Sequence, residues 1–190
     1  NPLYSYQLAV YFRQLGAYYN SVVAASYVVR NANIGTLDAP AYIAQLRYPA
    51  YYLDLVREVS ERREIDPLLL LALIRHESLF NTYANGAADE KGLMQVIPGT
   101  AEYIAGQLRW SNYQHADLYR PYAGIEFGAF YLAEQLRRFS GNVPVALSGY
   151  NAGPGRAQAW LDLAGADPDQ FMTAIDIEST QAYVQNIYGY

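Results

Sequence analysis

The chain has 190 residues, a formal net charge of −5, 52% hydrophobic and 16% charged composition, and no cysteine. That length and apolar content exclude a disordered chain and suit one domain, or one domain with a piece of another. The acidic balance gives no electrostatic footing on nucleic acid or an anionic membrane, and the missing thiols exclude disulfides and cysteine chemistry.

The first stretch, "LYSYQLAVYFRQLGAYYNSVVAASYVVRNAN", has helical periodicity in two bursts with Gly16 as the break. It predicts a helical hairpin. "IGTLDAP" (34–40) follows as a loop, punctuated by Gly35 and Pro40. "YPAYYLDLVREVSERRE" predicts an amphipathic helix. Asp66 then reads as an N-cap and Pro67 as the first residue of a leucine-rich helix. "NTYANGAADEKG" is a polar loop, and Pro98 opens the next helix. A long helix runs over "RPYAGIEFGAFYLAEQLRRFSGN" and ends at Gly141. A short apolar helix, a glycine-rich turn and a further helix cover "VPVALSGYNAGPGRAQAWLDLAG", with Pro154 as a helix start. "DPDQFMTAI" and "ESTQAYVQNIYGY" complete an all-α reading, since no stretch alternates as a strand would.

"LLLLALIRHES" holds the most informative residue. Leu70, Ile74 and Glu77 have i, i+4, i+7 spacing, so the carboxylate shares a face with an apolar stripe. One reading is a helix-end glutamate whose head reaches water. The other is a carboxylate held partly dry, which keeps a proton near neutral pH and serves as a general acid. Glycosidic bond cleavage needs such an acid. No second acidic residue has a clear claim beside it, because Asp89 and Glu90 are loop residues. His76 and His115 are the only histidines and no HExxH-like spacing exists, so no metal and no cofactor is implied.

Three further segments follow in order: "GLMQV" (92–96), "GYNAGPGR" (149–156) and "ESTQAYVQNI" near the C-terminus. Taken with "HES", they resemble the soluble lytic transglycosylases of bacterial cell-wall metabolism, over roughly residues 46 to 188. The resemblance implies a lysozyme-like catalytic domain over 46–190. It implies cleavage of the β-1,4 bond between N-acetylmuramic acid and N-acetylglucosamine of peptidoglycan, with a 1,6-anhydro-muramic end formed without water. Glu77 falls on the family's single catalytic glutamate. Gln95, Met94, Tyr150, Asn151 and Glu178 fall on or near substrate-binding positions, and Met94 is read either as a substrate contact or as core. Tyr150 would hold Glu77 by a hydrogen bond or stack on sugar, and Asn151 would bind an acetamido group. Gln95 is read either as a sugar contact or as an amide tying loop to helix.

The pattern departs from the family at four places. Gly86 stands where the family has serine, Asp89 where it often has glycine, and His76 where it has glutamine. Glu178 lies one residue early, with Ser179 in the expected position.

Residues 1–45 resemble the tail of the superhelical array that precedes the catalytic domain in larger family members, and read as a cap or remnant. A monomer is expected, acting outside the cytoplasm on peptidoglycan glycan strands, with no nucleic-acid partner. The chain shows no membrane span and no signal peptide, and its start without Met suggests a processed or excised form. The rival readings are a hydrolytic muramidase like goose-type lysozyme, and a non-catalytic peptidoglycan-binding module.

Overall fold

The computed structural model describes residues 1–36, 38–165 and 167–190. Leu37, inside the expected loop 34–40, lies outside the described residues. Among those described the chain is all helical, as the periodicity predicts. Helices α1 (Pro2–Gln14) and α2 (Tyr18–Ala32) form the hairpin, and Gly16 turns between them at a φ of 72°. Helix α3 (Ala41–Arg47) went unassigned in the sequence reading. Its seven residues are too few to display a helical period. It also straddles the expected division between 45 and 46.

Helices α4 (Leu53–Arg63) and α5 (Pro67–Ser78) come next. The start of α5 is as expected: Pro67 is its first residue, and the Asp66 side chain accepts the Leu68 N–H at 2.7 Å. After a loop come α6 (Pro98–Leu108), a 3-10 turn (His115–Tyr119) and α7 (Pro121–Arg138). Helix α7 stops short of Gly141 because Ser140 and Gly141 both take positive φ, 53° and 80°. Helices α8 (Val143–Ala152), α9 (Pro154–Ala164), α10 (Pro168–Ala174) and α11 (Glu178–Tyr188) finish the chain.

Helix α5 is central. Leu70, Leu73 and Ile74 are fully buried in a core shared with Ile125, Phe127 and Leu132 of α7 and Leu147 of α8. It packs on α4 and α11, while α7 packs on α4, α6 and α8. Its outer end is clamped by Arg75. That guanidinium lies 4.3 Å from the Tyr48 ring centre and 4.2 Å from that of Tyr190, and its Nε donates to the Arg47 carbonyl at 2.9 Å. Helix α5 is thus fixed at both ends, which sets where Glu77 points.

The N-terminal pair docks onto this core. Val22 of α2 joins the main cluster, and Tyr18 stacks on Tyr51 with ring centres 3.9 Å apart. Buried Ser21 donates to the Ala9 carbonyl at 2.8 Å and accepts the Tyr51 hydroxyl at 3.1 Å. One hydroxyl therefore joins α1, α2 and the segment before α4. Ser21→Ala removes both bonds and leaves the Tyr51 hydroxyl without its acceptor. It is expected to lower stability by about 1–2 kcal/mol, read as a shifted urea midpoint with unchanged slope.

Candidate active site

Glu77 sits in the last turn of α5, one residue before its end. Its carboxylate lines a cavity of about 390 Å³ together with Glu90, Gln95, Tyr131, Tyr150 and Asn151. Burial pushes its proton affinity up, to a pKa of about 7 from 4.5. The Tyr183 hydroxyl, donating to Glu77 Oε1, pulls the other way, and the charge of Glu90 adds to the rise. Tyr183 comes from α11 and is itself buried. It also meets the His76 ring edge-on, with centres 4.7 Å apart. His76 is pushed toward the neutral form by burial and by neighbouring Arg75.

The wall opposite the helix is the segment Gly92–Val96. Ser78, next to Glu77, lies with its hydroxyl 2.9 Å from the Leu93 carbonyl, tying α5 to this wall. Gly92 has a φ of 77°, and a Cβ there would fall 2.1 Å from the Leu118 carbonyl oxygen, so only glycine fits. Tyr150 of α8 donates to the Met94 carbonyl at 2.8 Å. Gln95 Nε2 donates to the carbonyls of Gly92 (2.8 Å) and Ala84 (3.2 Å). Both amide hydrogens hold the wall, which leaves the Gln95 side-chain oxygen as the acceptor available to a ligand. Asn151 Oδ1 accepts the Thr180 hydroxyl at 2.7 Å, which orients the amide at the cavity edge.

A protonated carboxyl beside sugar-sized space, ringed by amides and phenols, is suited to acid catalysis on a polar, hydroxyl-rich substrate. Among the described residues no cluster of side chains has the makings of a metal site.

Comparison with known proteins agrees with this geometry. The model of the transglycosylase SLT domain family matches residues 54–172. The chain belongs to the transglycosylase SLT domain family. The soluble lytic murein transglycosylases of Salmonella typhimurium and Escherichia coli K12 are each 33% identical to it over 147 residues, 76% of this chain and 23% of theirs. The chain thus spans about a quarter of the length of these relatives. Among solved structures, the E. coli 70 kDa soluble lytic transglycosylase aligns over 95% of this chain and 28% of its own, with 28% identity and a TM-score of 0.82. The Pseudomonas aeruginosa Slt, solved as an inactive glutamate-to-glutamine mutant, aligns over 95% of this chain and 28% of its own at 25% identity and a TM-score of 0.79.

Within this SLT domain the residues singled out from the sequence do not all converge. Glu77, Gln95, Tyr150 and Asn151 line one cavity. Met94 does not: its side chain is completely buried against Gly128, where an added Cβ would lie 2.4 Å from the Met94 sulfur. Only its backbone serves the site, through the bond from Tyr150. Glu178 is an exposed residue at the first position of α11 and is absent from the cavity wall, while Thr180, two residues on, holds Asn151. Nor does Tyr150 hold Glu77; Tyr183 does. Tyr183 lies within "ESTQAYVQNI", a segment the sequence singles out without marking this side chain.

Glu90 is the other residue that sequence reasoning set aside. Its side chain lines the cavity and lies against Gly86. A Cβ on residue 86 would lie 2.1 Å from Glu90 Oε2, which accepts the Ala88 N–H at 2.8 Å. Asp89 has a φ of 61°, the left-handed conformation that suits the glycine often found there and that aspartate tolerates. Its carboxylate pairs with Lys91.

Proposed function

We propose that this SLT domain is a peptidoglycan lytic transglycosylase, cleaving the β-1,4 bond from N-acetylmuramic acid to N-acetylglucosamine and leaving a 1,6-anhydro-muramic end. The observation that carries the reading is Glu77. It is a carboxyl that holds its proton up to about pH 7, in a cavity walled by Gln95, Tyr150 and Asn151. Glu77 gives that proton to the leaving O4 as the C1–O4 bond breaks. The substrate's 2-acetamido group stabilises the anomeric carbon. The muramic O6 hydroxyl then attacks C1 and returns its proton to Glu77, so no water is consumed and the acid is restored. Tyr183 keeps the carboxyl aimed through both steps.

The natural setting is outside the cytoplasm, where peptidoglycan lies, and the catalytic part is assigned to residues 46–190. No helix among the described residues is long and apolar enough to cross a membrane. The test is mass spectrometry of soluble products from purified peptidoglycan. Anhydro-muramic ends are expected. Reducing ends would make the protein a hydrolase and end the O6-attack mechanism, and no release with wall binding intact would make it a glycan-binding module.

The acid step sets the pH profile. Activity should fall as pH rises through about 7, where Glu77 loses its proton. Two substitutions should move that limb in opposite directions. Glu90→Gln removes a charge that raises the Glu77 pKa, so the limb moves to lower pH. Tyr183→Phe removes a hydrogen bond that lowers it, so the limb moves to higher pH, with kcat reduced about tenfold or more by lost positioning. Profiles of kcat/KM against pH for the three proteins check both signs.

A further inference from the structure

Glu77 and Gln95 line a second cavity as well as the first. It has a volume of about 380 Å³, and its wall includes Tyr19, His76, Asn81 and Tyr83. The two cavities meet at the acid. A polymer cut at Glu77 must extend on both sides of it, so the second cavity lies where the strand continues past the scissile bond.

The lining has the chemistry of a saccharide groove. Tyr83 is 73% exposed and Tyr19 42% exposed, so core packing accounts for neither ring. The loop that carries Tyr83 is nonetheless built firmly. Asn81 Oδ1 accepts the Tyr83 N–H at 3.0 Å, Asn85 Nδ2 donates to the Tyr83 carbonyl at 3.2 Å, and the Tyr119 hydroxyl donates to Asn85 Oδ1 at 2.5 Å. Bare phenol faces take the C–H faces of pyranose rings, and their hydroxyls reach sugar oxygens. A ring held out in water on a fixed loop loses little freedom when a ligand covers it.

Tyr19 belongs to α2 of the N-terminal hairpin, outside the residues that match the family model. We infer that the N-terminal helical pair forms part of the substrate site: Tyr19, with Tyr83 opposite the first cavity, binds a further stretch of 2-acetamido-hexose glycan beyond the bond that is cut. This rests on the transglycosylase reading, and it changes the role of residues 1–45 from a cap to a wall of the cleft.

The experiment is titration of purified glycan strands into Glu77→Gln, which binds without cutting, alone and combined with Tyr19→Ala, Tyr83→Ala or Tyr27→Ala. Tyr27 is an equally exposed tyrosine on α2 that takes no part in the groove, at 48% exposure. Tyr19→Ala and Tyr83→Ala should each raise Kd about fivefold or more, with Tyr27→Ala unchanged and all melting temperatures alike. In the otherwise wild-type enzyme, Tyr19→Ala should raise KM, leave kcat within about twofold, and leave the end group of the products unaltered. A Kd for Tyr19→Ala equal to that of the parent overturns the inference. So does an equal loss in Tyr27→Ala, which would mark a general effect on α2. Reducing ends from the wild-type enzyme would instead strike the transglycosylase mechanism, while the Kd ratios still decide on the groove.

Discussion

Glu77→Gln is expected to abolish product release, by on the order of 10³-fold or more, and at the same time to make the protein more stable at pH 8. The first effect follows from the proposed mechanism, in which one carboxyl acts as both acid and base and an amide can do neither. The second follows from the cost of burying a charge. In the unfolded chain this carboxyl titrates near 4.5, and in the folded chain near 7. The folded state holds the proton more tightly, so the group's contribution is fully present below pH 4.5 and is lost as pH rises through 7. Above that, the buried carboxylate costs roughly 3 kcal/mol. Glutamine keeps an oxygen to accept the Tyr183 hydroxyl and carries no charge. Thermal melts of both proteins at pH 5 and pH 8 check this: the curves should nearly coincide at pH 5 and separate at pH 8. Equal melting temperatures at pH 8 would show that Glu77 is well hydrated, and would remove the physical basis for its role as an acid near neutral pH.

Glu126→Ala is expected to damage the fold strongly although it lies away from the cleft. Glu126 is 3% exposed in the middle of α7. Both of its oxygens are taken by the end of α4: Oε2 meets Arg62 Nη2 at 2.8 Å, and Oε1 pairs with Arg63. Truncation leaves the Arg63 guanidinium, which lies over the Phe130 ring at 4.9 Å, without its counter-charge. Arg62 is less affected, because its side chain is 44% exposed and can turn to Glu58, 3.7 Å away. A loss of about 3 kcal/mol follows, at the low end for breaking a buried pair because one partner regains water. Denaturant titration measures it, and Arg63→Ala in the same chain should recover part of the loss. Full additivity of the two substitutions would show that the pair does not couple α4 to α7.

Much of the fold was legible because long helices repeat their apolar residues often enough to be seen. Leu70 and Ile74 predicted an apolar stripe on α5 and both are fully buried, and the Asp66–Pro67 start was visible in two letters. Short α3 was hidden because seven residues make barely two turns. The candidate site divided along a similar line. Glu77 stood out because it breaks an apolar stripe within its own helix. The partners of Glu77 are set by packing between distant segments: Tyr183 lies 106 residues away, and nothing local distinguishes it among 20 tyrosines. Glu90 was set aside as a loop residue because its place in the cavity depends on how the loop folds back, which no local pattern shows. Met94 is the opposite case: its side chain is core, one of the two readings, and it is the carbonyl at this motif position that serves the site.

The hydrogen bond from Tyr183 joins the fifth helix to the eleventh. A helix that packs on two neighbours, as α11 does on α5 and α8, opens locally more easily than one at the centre of the core. If α11 peels away while the remaining helices stay folded, Glu77 stays in place but loses the hydrogen bond that aims it. Catalytic competence is therefore a more sensitive gauge of this protein's integrity than its helical content. On warming, activity should fade ahead of the far-ultraviolet dichroism, and amide exchange in α11 should track the loss.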